Sequence, residues 1–300
     1  MQIRSDNEES IIYIDGNYLP EINAKISVFD HVVLYGDGVY DTCCAWNGKV
    51  FKLDEHIDRL YESAYAIKIQ IPINKRDMKE AILETVRKNK HQNAYLKIIV
   101  TRGVGELPLL SPYNCKPSVI IFSKPYMRLV GEGGHEKGIR VKIAALRRIP
   151  DQCLYSKAKM INYQNHVLMR LEANEAGYDD AIELTIDGFV AEAPGYNVFV
   201  VKNGKLFTPP DNILMGITRQ TVFELAYDES IQVLTERISP FDLFTADEVF
   251  FSSTAGGIFP VISVDGRTVG SGKPGIITEK MRNGYNDLLE SGKKSTPAFL

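Results

Sequence analysis

The chain has 300 residues, 44% of them hydrophobic and 24% charged, with a net charge of −3 and both signs interspersed. That length fits one large or two medium domains. The absence of a basic block excludes a nucleic-acid-binding surface, and no apolar run is long enough to span a bilayer.

The first ten residues lack the apolar stretch of a signal peptide. Cys43, Cys44, Cys115 and Cys153 show no metal-ligand spacing, so a reducing, cytoplasmic setting is expected. Residues 11–14 and 18–19 flank Asp15-Gly16-Asn17, a hairpin signal. In Leu34-Tyr35-Gly36-Asp37-Gly38-Val39-Tyr40-Asp41 the glycines permit tight backbone geometry. Tyr35 and Tyr40 around them either pack in a core or line a pocket. Residues 43–51 read as another hairpin, turning at Asn47-Gly48. Asp54 is placed to cap a helix in which Ile57, Leu60, Ala64 and Ile67 recur at helical spacing. Arg59, one position off that stripe, is either a solvated charge or an anion clamp. A second helix over about 75–90 buries Met78, Ile82 and Val86. In the strand 94–102, alternation puts Tyr95, Lys97, Ile99 and Thr101 on one face. A lysine there must reach water, a carboxylate or a ligand. The loop 103–116, which carries Tyr113, either covers a pocket or is plain surface. After a strand at 118–122, residues 124–138 with their glycine run and His135 read as an interdomain linker.

The second half opens with a strand at 139–146 and then Leu154-Tyr-Ser-Lys157-Ala-Lys159-Met-Ile-Asn-Tyr163. A helix follows, with Val167, Leu168 and Leu171 on one face and Gly177 past its end. Lys159 is flanked by Met160 and Ile161. Partial desolvation lowers an amine's pKa, and a neutral amine forms a Schiff base with a carbonyl. Most lysines are surface charges, and Lys157 reads as one. Strands are expected at 180–186 and 189–192 around Asp187-Gly188, and at 198–201 and 205–207 around Asn203-Gly204. Leu214-Met-Gly216-Ile217-Thr218-Arg219 opens a helix. Its free N–H groups and the Thr218 hydroxyl suit a phosphate, unless Thr218 is only a cap. Strands at 231–236 and 248–252 enclose a short helix at 240–244. The small residues at 253–258 let backbone amides approach an anion. Gly270-Ser-Gly-Lys273 reads as a hairpin tip, residues 274–290 as the last helix, and 291–300 as a frayed tail.

Taken together, six segments resemble the class IV, fold-type IV pyridoxal phosphate aminotransferases, over about residues 11–289. They are Tyr35-Gly-Asp-Gly-Val-Tyr40, Asp54-Glu-His-Ile-Asp-Arg59, Lys159-Met-Ile-Asn-Tyr163, Glu192-Ala-Pro-Gly-Tyr-Asn197, Leu214-Met-Gly-Ile-Thr-Arg219 and the run from Asp247 to Thr254-Ala255. The resemblance implies a two-domain α+β or α/β architecture like that of D-amino acid aminotransferase. A small N-terminal α/β domain would span 1–123, a linker 124–138, and a larger β-barrel-like cofactor-binding domain with helices 139–300. It implies that Lys159 forms the imine with pyridoxal 5′-phosphate and carries a proton between substrate and cofactor. Glu192 would pair with the pyridine nitrogen, Tyr163 with the phenolic oxygen, and Leu214 with the ring face. Arg59, Ile217, Thr218 and Thr254 would hold the phosphate, with Asn197 and Gly216 completing the cofactor pocket. Tyr35, Tyr40, Tyr95, Lys97, Tyr113, Thr254 and Ala255 would face the substrate. The implied reaction is ping-pong transfer from an amino acid to 2-oxoglutarate or another 2-keto acid, in a homodimer.

Branched-chain aminotransferases are resembled through Ala94-Tyr-Leu-Lys-Ile-Ile-Val-Thr-Arg-Gly103, Asn162-Tyr163 and Ala176-Gly-Tyr-Asp-Asp-Ala-Ile182. Lys97 stands where their arginine is usual, Gly256-Gly257 where they have an acidic residue, and Tyr113 where many have arginine. Val28-Phe-Asp-His31, Ala45-Trp46-Asn-Gly48 and Thr254-Ala-Gly-Gly-Ile258 lean toward (R)-selective amine aminotransferases. The arginine and histidine pair of D-amino acid aminotransferases is absent, and Lys97 is shared with aminodeoxychorismate lyases. A non-catalytic binding protein on this fold is opposed by the joint presence of Lys159, Glu192 and Arg59. A branched-chain preference is the expectation adopted.

Overall fold

The computed structural model describes residues 10–106, 110–126 and 134–299. The middle of the expected loop at 107–109 and the glycines at 131–133 lie outside them. The chain divides into two compact units, Met1–Met127 with Lys294–Leu300, and Arg128–Lys293.

In the first unit, β1 (Ile11–Ile14) and β2 (Asn17–Pro20) form a hairpin whose turn residues Asp15 and Gly16 both take positive φ. The short helix α1 (His31–Tyr35) is capped by Asp30, whose carboxylate accepts from the Val32 N–H. Next come β3 (Gly38–Trp46), β4 (Lys49–Phe51), α2 (Leu53–Ala66), α3 (Lys75–Lys88), β5 (Ala94–Val104) and β6 (Lys116–Pro125). The strands run β4-β3-β5-β6-β1-β2. Leu96, Ile98 and Val100 of β5 are buried, as are Ile57 and Leu60 of α2 and Met78, Ile82 and Val86 of α3. Tyr95, Lys97 and Ile99, on the other face of β5, are half-buried. The start of α2 differs from the expected Asp54 cap. Lys52, in the left-handed region at φ 45°, precedes the helix, and Asp54 lies inside the first turn, bound by Lys79 Nζ at 2.7 Å. A carboxylate there still favours the helix through its dipole.

The second unit contains α4 (Gly134–Lys137), β7 (Ile139–Arg147), α5 (Gln164–Glu175), β8 (Asp180–Leu184), β9 (Asn197–Lys202) and β10 (Lys205–Thr208). It continues with α6 (Ile217–Asp228), β11 (Val233–Thr235), α7 (Pro240–Phe244), β12 (Glu248–Ser253), β13 (Gly257–Val264), β14 (Arg267–Thr268) and α8 (Ile276–Ser291). Its sheet runs β11-β10-β9-β12-β13-β7-β8, with β14 attached to β13. Val198, Val200, Val249, Phe251, Phe259 and Val261 form one core. On the opposite side of the same strands Phe199 stacks on Phe250 at 4.9 Å and meets Phe223 of α6 edge-on. Among the described residues no helix is long and apolar enough to cross a membrane.

Three further expectations fail here. Phe189 to Glu192 is not a strand; it meets β8 through an isolated bridge, Leu184 with Val190, and a few backbone bonds. The face of α5 read as apolar is exposed, with Val167 at 55%, Leu168 at 42% and Leu171 at 49%, while His166, Met169 and Ala173 are buried. The helix is oriented by a polar contact of His166 as well as by burial of Met169 and Ala173. The tail is not frayed: β15 (Ser295–Pro297) pairs antiparallel with β4, adding a seventh strand to the first unit's sheet and taking the tail out of the expected 139–300 unit.

Candidate active site

Backbone pairing in the second unit sets two carboxylates side by side. The Glu183 N–H donates to the Glu192 carbonyl and the Ala191 N–H to the Glu183 carbonyl, both at 2.8 Å. Arg148 follows β7 and donates its own N–H to the Leu184 carbonyl. α5 brings His166 to the same place on its buried side. All four side chains are buried. Arg148 Nη2 lies 2.7 Å from Glu192 Oε1, and its Nη1 2.7 Å from His166 Nε2. His166 Nδ1 is 2.6 Å from Glu183 Oε1, and Arg148 Nε is 3.7 Å from Glu183 Oε2. The second Glu192 oxygen accepts from the Leu214 N–H at 3.0 Å. Burial pushes the Glu192 carboxyl above its ordinary range, with the Glu183 charge adding to it; Arg148 and the Leu214 N–H oppose the shift without cancelling it. His166, Glu183 and Glu192 have the chemistry of metal ligands and lie close together. The Arg148 guanidinium already supplies the positive charge among them, so the cluster does not suit a cation.

This cluster forms one wall of a cleft that Lys159, Tyr163 and Leu214 also line. Lys159 is half-buried between buried Ala158 and Met160, whereas Lys157 is exposed. Lys159 Nζ lies 5.9 Å from the Tyr163 ring centre, and that ring packs on His166 at 4.5 Å. Asn197 opens β9 and donates from Nδ2 to the Leu214 carbonyl at 2.8 Å. A Cβ on Gly216 would come within 2.1 Å of Asn197 Oδ1, so any larger residue before α6 would push the Asn197 amide aside. Gly216 is the N-cap of α6 and no side chain caps the helix, so Thr218 is not its cap; Thr218 and Arg219 are buried in the first turn. Arg219 donates to the Pro209 carbonyl and stacks over Phe223, but its Nε has no hydrogen-bond partner. Among the described residues no carboxylate pairs with it, and burial pulls its pKa down. An uncapped helix start beside a buried cation lacking a counter-charge suits a phosphate. Thr254 and buried Ala255 occupy the turn between β12 and β13.

The remaining predicted residues belong to the first unit. Tyr40 and Lys97 meet on one face of its sheet, with Lys97 Nζ 4.1 Å from the Tyr40 ring centre. Tyr95 lies on that same face, opposite Cys44 in the register. Tyr35 is 38% exposed at the end of α1, and Tyr113 is 79% exposed. Arg59 is no solvated charge: its Nε and Nη2 donate to the two oxygens of buried Asp41, both at 2.8 Å. His56 Nδ1 approaches Asp41 at 2.7 Å. Burial alone would raise the Asp41 pKa; the charges of Arg59 and His56 reverse this and hold it well below the carboxylate range.

Arg148, His166 and Glu183 were not singled out from the sequence. One trace was available: Glu183 interrupts the apolar run Ala181-Ile182-Glu183-Leu184, and a carboxylate in a buried strand requires partners.

The amino-transferase class IV family pattern matches residues 38–264. A Methanocaldococcus jannaschii protein, provisionally named a branched-chain-amino-acid aminotransferase, is 45% identical over 280 residues, covering 92% of this chain and 96% of its own. The crystal structure of an Escherichia coli branched-chain amino acid aminotransferase superposes with a TM-score of 0.93 at 30% identity, covering 97% of this chain and 100% of that one. The branched-chain aminotransferase from the archaeon Thermoproteus uzoniensis, crystallised with norvaline, gives 0.90 at 32% identity, covering 97% and 100%. With a cleft of this composition and these similarities over nearly its whole length, the chain belongs to the pyridoxal-phosphate-dependent class IV aminotransferases, of fold type IV.

Proposed function

We propose that the chain moves an amino group from a branched-chain L-amino acid to a 2-keto acid such as 2-oxoglutarate, in two successive half-reactions. One observation carries the reading. Lys159 and Tyr163 from one stretch of chain, Glu192 from a second and Leu214 from a third line one cleft. Their chemistry fits the cofactor: an amine, a phenol, a carboxylate with a raised pKa and an apolar side chain, with the uncapped start of α6 and the uncompensated charge of Arg219 in the same unit. When bound, pyridoxal phosphate supplies an aldehyde that exchanges amines and a ring that takes up electron density from the substrate.

The protein's part is placement and proton handling. Lys159 Nζ takes the proton from the substrate Cα and returns it. Glu192 holds the proton on the ring nitrogen, Tyr163 orients the phenolic oxygen, and Leu214 packs on the ring. Ile217, Thr218 and Thr254 hold the phosphate, next to Asn197 and Gly216. Lys159 is half-buried and lines the cleft, whereas Lys157 is exposed and does not. The branched-chain preference is supported by the names of the relatives, and Tyr40 with Lys97 is the candidate pair for recognising substrate. We infer a homodimer working in the cytoplasm. Val28, Phe29, Val33 and Leu34 present exposed apolar surface, as a subunit contact would require.

Borohydride reduction in the presence of pyridoxal phosphate, followed by peptide mapping, is expected to place the phosphopyridoxyl mass on Lys159. A label on Lys157 overturns the assignment. Lys159→Ala is expected to lower kcat by at least roughly 10²-fold, while Lys157→Ala leaves it unchanged. L-leucine is expected to bleach the absorbance of the bound cofactor in a single half-reaction, and D-alanine and (R)-1-phenylethylamine are not. If only the amine does so, the branched-chain reading is wrong.

A further inference from the structure

Arginine donates hydrogen bonds and accepts none. The 2.7 Å contact between Arg148 Nη1 and His166 Nε2 therefore requires a lone pair on Nε2. The ring proton must then sit on Nδ1, where it donates to Glu183 Oε1 at 2.6 Å. An imidazolium would direct an N–H at the guanidinium, and the other neutral tautomer would do the same while leaving Glu183 without a donor. Turning the ring over would put carbon atoms at both contacts. His166 is thus a neutral bridge between the Arg148 guanidinium and the Glu183 carboxyl group.

We propose that His166, fixed as its Nδ1–H tautomer between Arg148 and Glu183, is a positioning residue that locks the Arg148 guanidinium onto Glu192 and seats the Tyr163 ring. The inference rests on the reading of Glu192 as the partner of the ring nitrogen. The guanidinium is held at three points: Nη2 on Glu192, Nη1 on His166, and Nε on the Asn212 carbonyl at 3.3 Å. Removing His166 frees one edge of it and leaves two strong groups, a guanidinium N–H and a carboxylate oxygen, buried without their partners. It also takes away the surface on which Tyr163 packs at 4.5 Å. The Glu183 carboxylate meets the cleft wall through His166 and Arg148.

The test uses the full chain labelled with ¹⁵N-histidine, the His166 signal being the one lost in His166→Gln. It is expected to show a protonated Nδ1 and an unprotonated Nε2 near neutral pH. A protonated Nε2 overturns the proposal. Pyridoxal phosphate affinity of the apo chain, measured by equilibrium dialysis, is the second readout. His166→Phe retains a ring beside Tyr163 but neither hydrogen bond, and is expected to bind about tenfold more weakly. His166→Gln offers one donor and one acceptor and is expected to recover part of that loss. Unchanged affinity in His166→Phe, or equal losses in both variants, overturns the positioning role. Failure of the underlying reading looks different. In that case Glu192→Gln leaves the affinity and the cofactor's absorbance unchanged while the His166 signal remains Nδ1–H, and the positioning role falls with it.

Discussion

Asp180 opens β8 with its carboxyl buried. Burial pushes its pKa up to about 6, helped by the charges of Glu183 and Asp179 and opposed by Arg170 and the Ala181 N–H. The opposition is weak because Arg170 is half-exposed and 3.7 Å away. The folded chain therefore holds this proton more tightly than the unfolded chain does. The stability that follows is fully present below 3.8 and is lost as pH rises through about 6. Asp180→Asn keeps an acceptor for the Ala181 N–H and removes the ionisation. It is expected to gain on the wild type through that window, by up to about 3 kcal/mol on the alkaline side, in urea unfolding followed against pH. A difference that stays flat across the window contradicts this. Asp41 is buried as deeply with the opposite result, because Arg59 grips both its oxygens. Its contribution is lost only as pH falls through its depressed pKa. Local sequence does not distinguish the two aspartates, since each outcome depends on a partner elsewhere in the chain.

Elements were legible where the signal is local. Asp15-Gly16, Asn47-Gly48 and Asn203-Gly204 all take the positive φ that such turns require, and each joins the hairpin expected of it. Two elements were concealed. β13 contains Pro260, which argues against an inner strand. It sits opposite Phe250 of β12, one residue before pairing with β7 begins at Val261. α5 shows an apolar stripe that faces outward, while its inner face carries a histidine whose partners are unknown until the chain is folded. The two faces are told apart by truncating a side chain on each. Met169→Ala is expected to cost about 2–5 kcal/mol of unfolding free energy, and Val167→Ala to stay within about 0.5. The reverse order in chemical denaturation returns the helix to its original reading. The candidate site divides in the same way. Lys159, Glu192 and Tyr163 were readable through motif resemblance, whereas Arg148, His166 and Glu183 gain their meaning only from each other.

On the scale of the whole chain, the feature that sequence reasoning missed is the return of β15 to the sheet of the first unit. The Lys52 N–H donates to the Lys294 carbonyl at 2.9 Å, the Ala298 N–H to the Gly48 carbonyl at 2.8 Å, and Arg87 Nη1 to the Ala298 carbonyl at 3.0 Å. Ala298 is fully buried. Deleting residues 294–300 is expected to destabilise the first unit by roughly 3 kcal/mol, on about 1 kcal/mol for each of these bonds. Hydrogen exchange at β4 amides is expected to speed up accordingly, and unchanged exchange there refutes it.

The same return sets a timetable for the nascent polypeptide. A ribosome makes β1 to β6 early but β15 only after every helix and strand of the second unit, so the opening sheet waits one strand short while the second unit takes shape. Chains arrested before residue 294 should display a protease-sensitive β4 edge that full-length release closes.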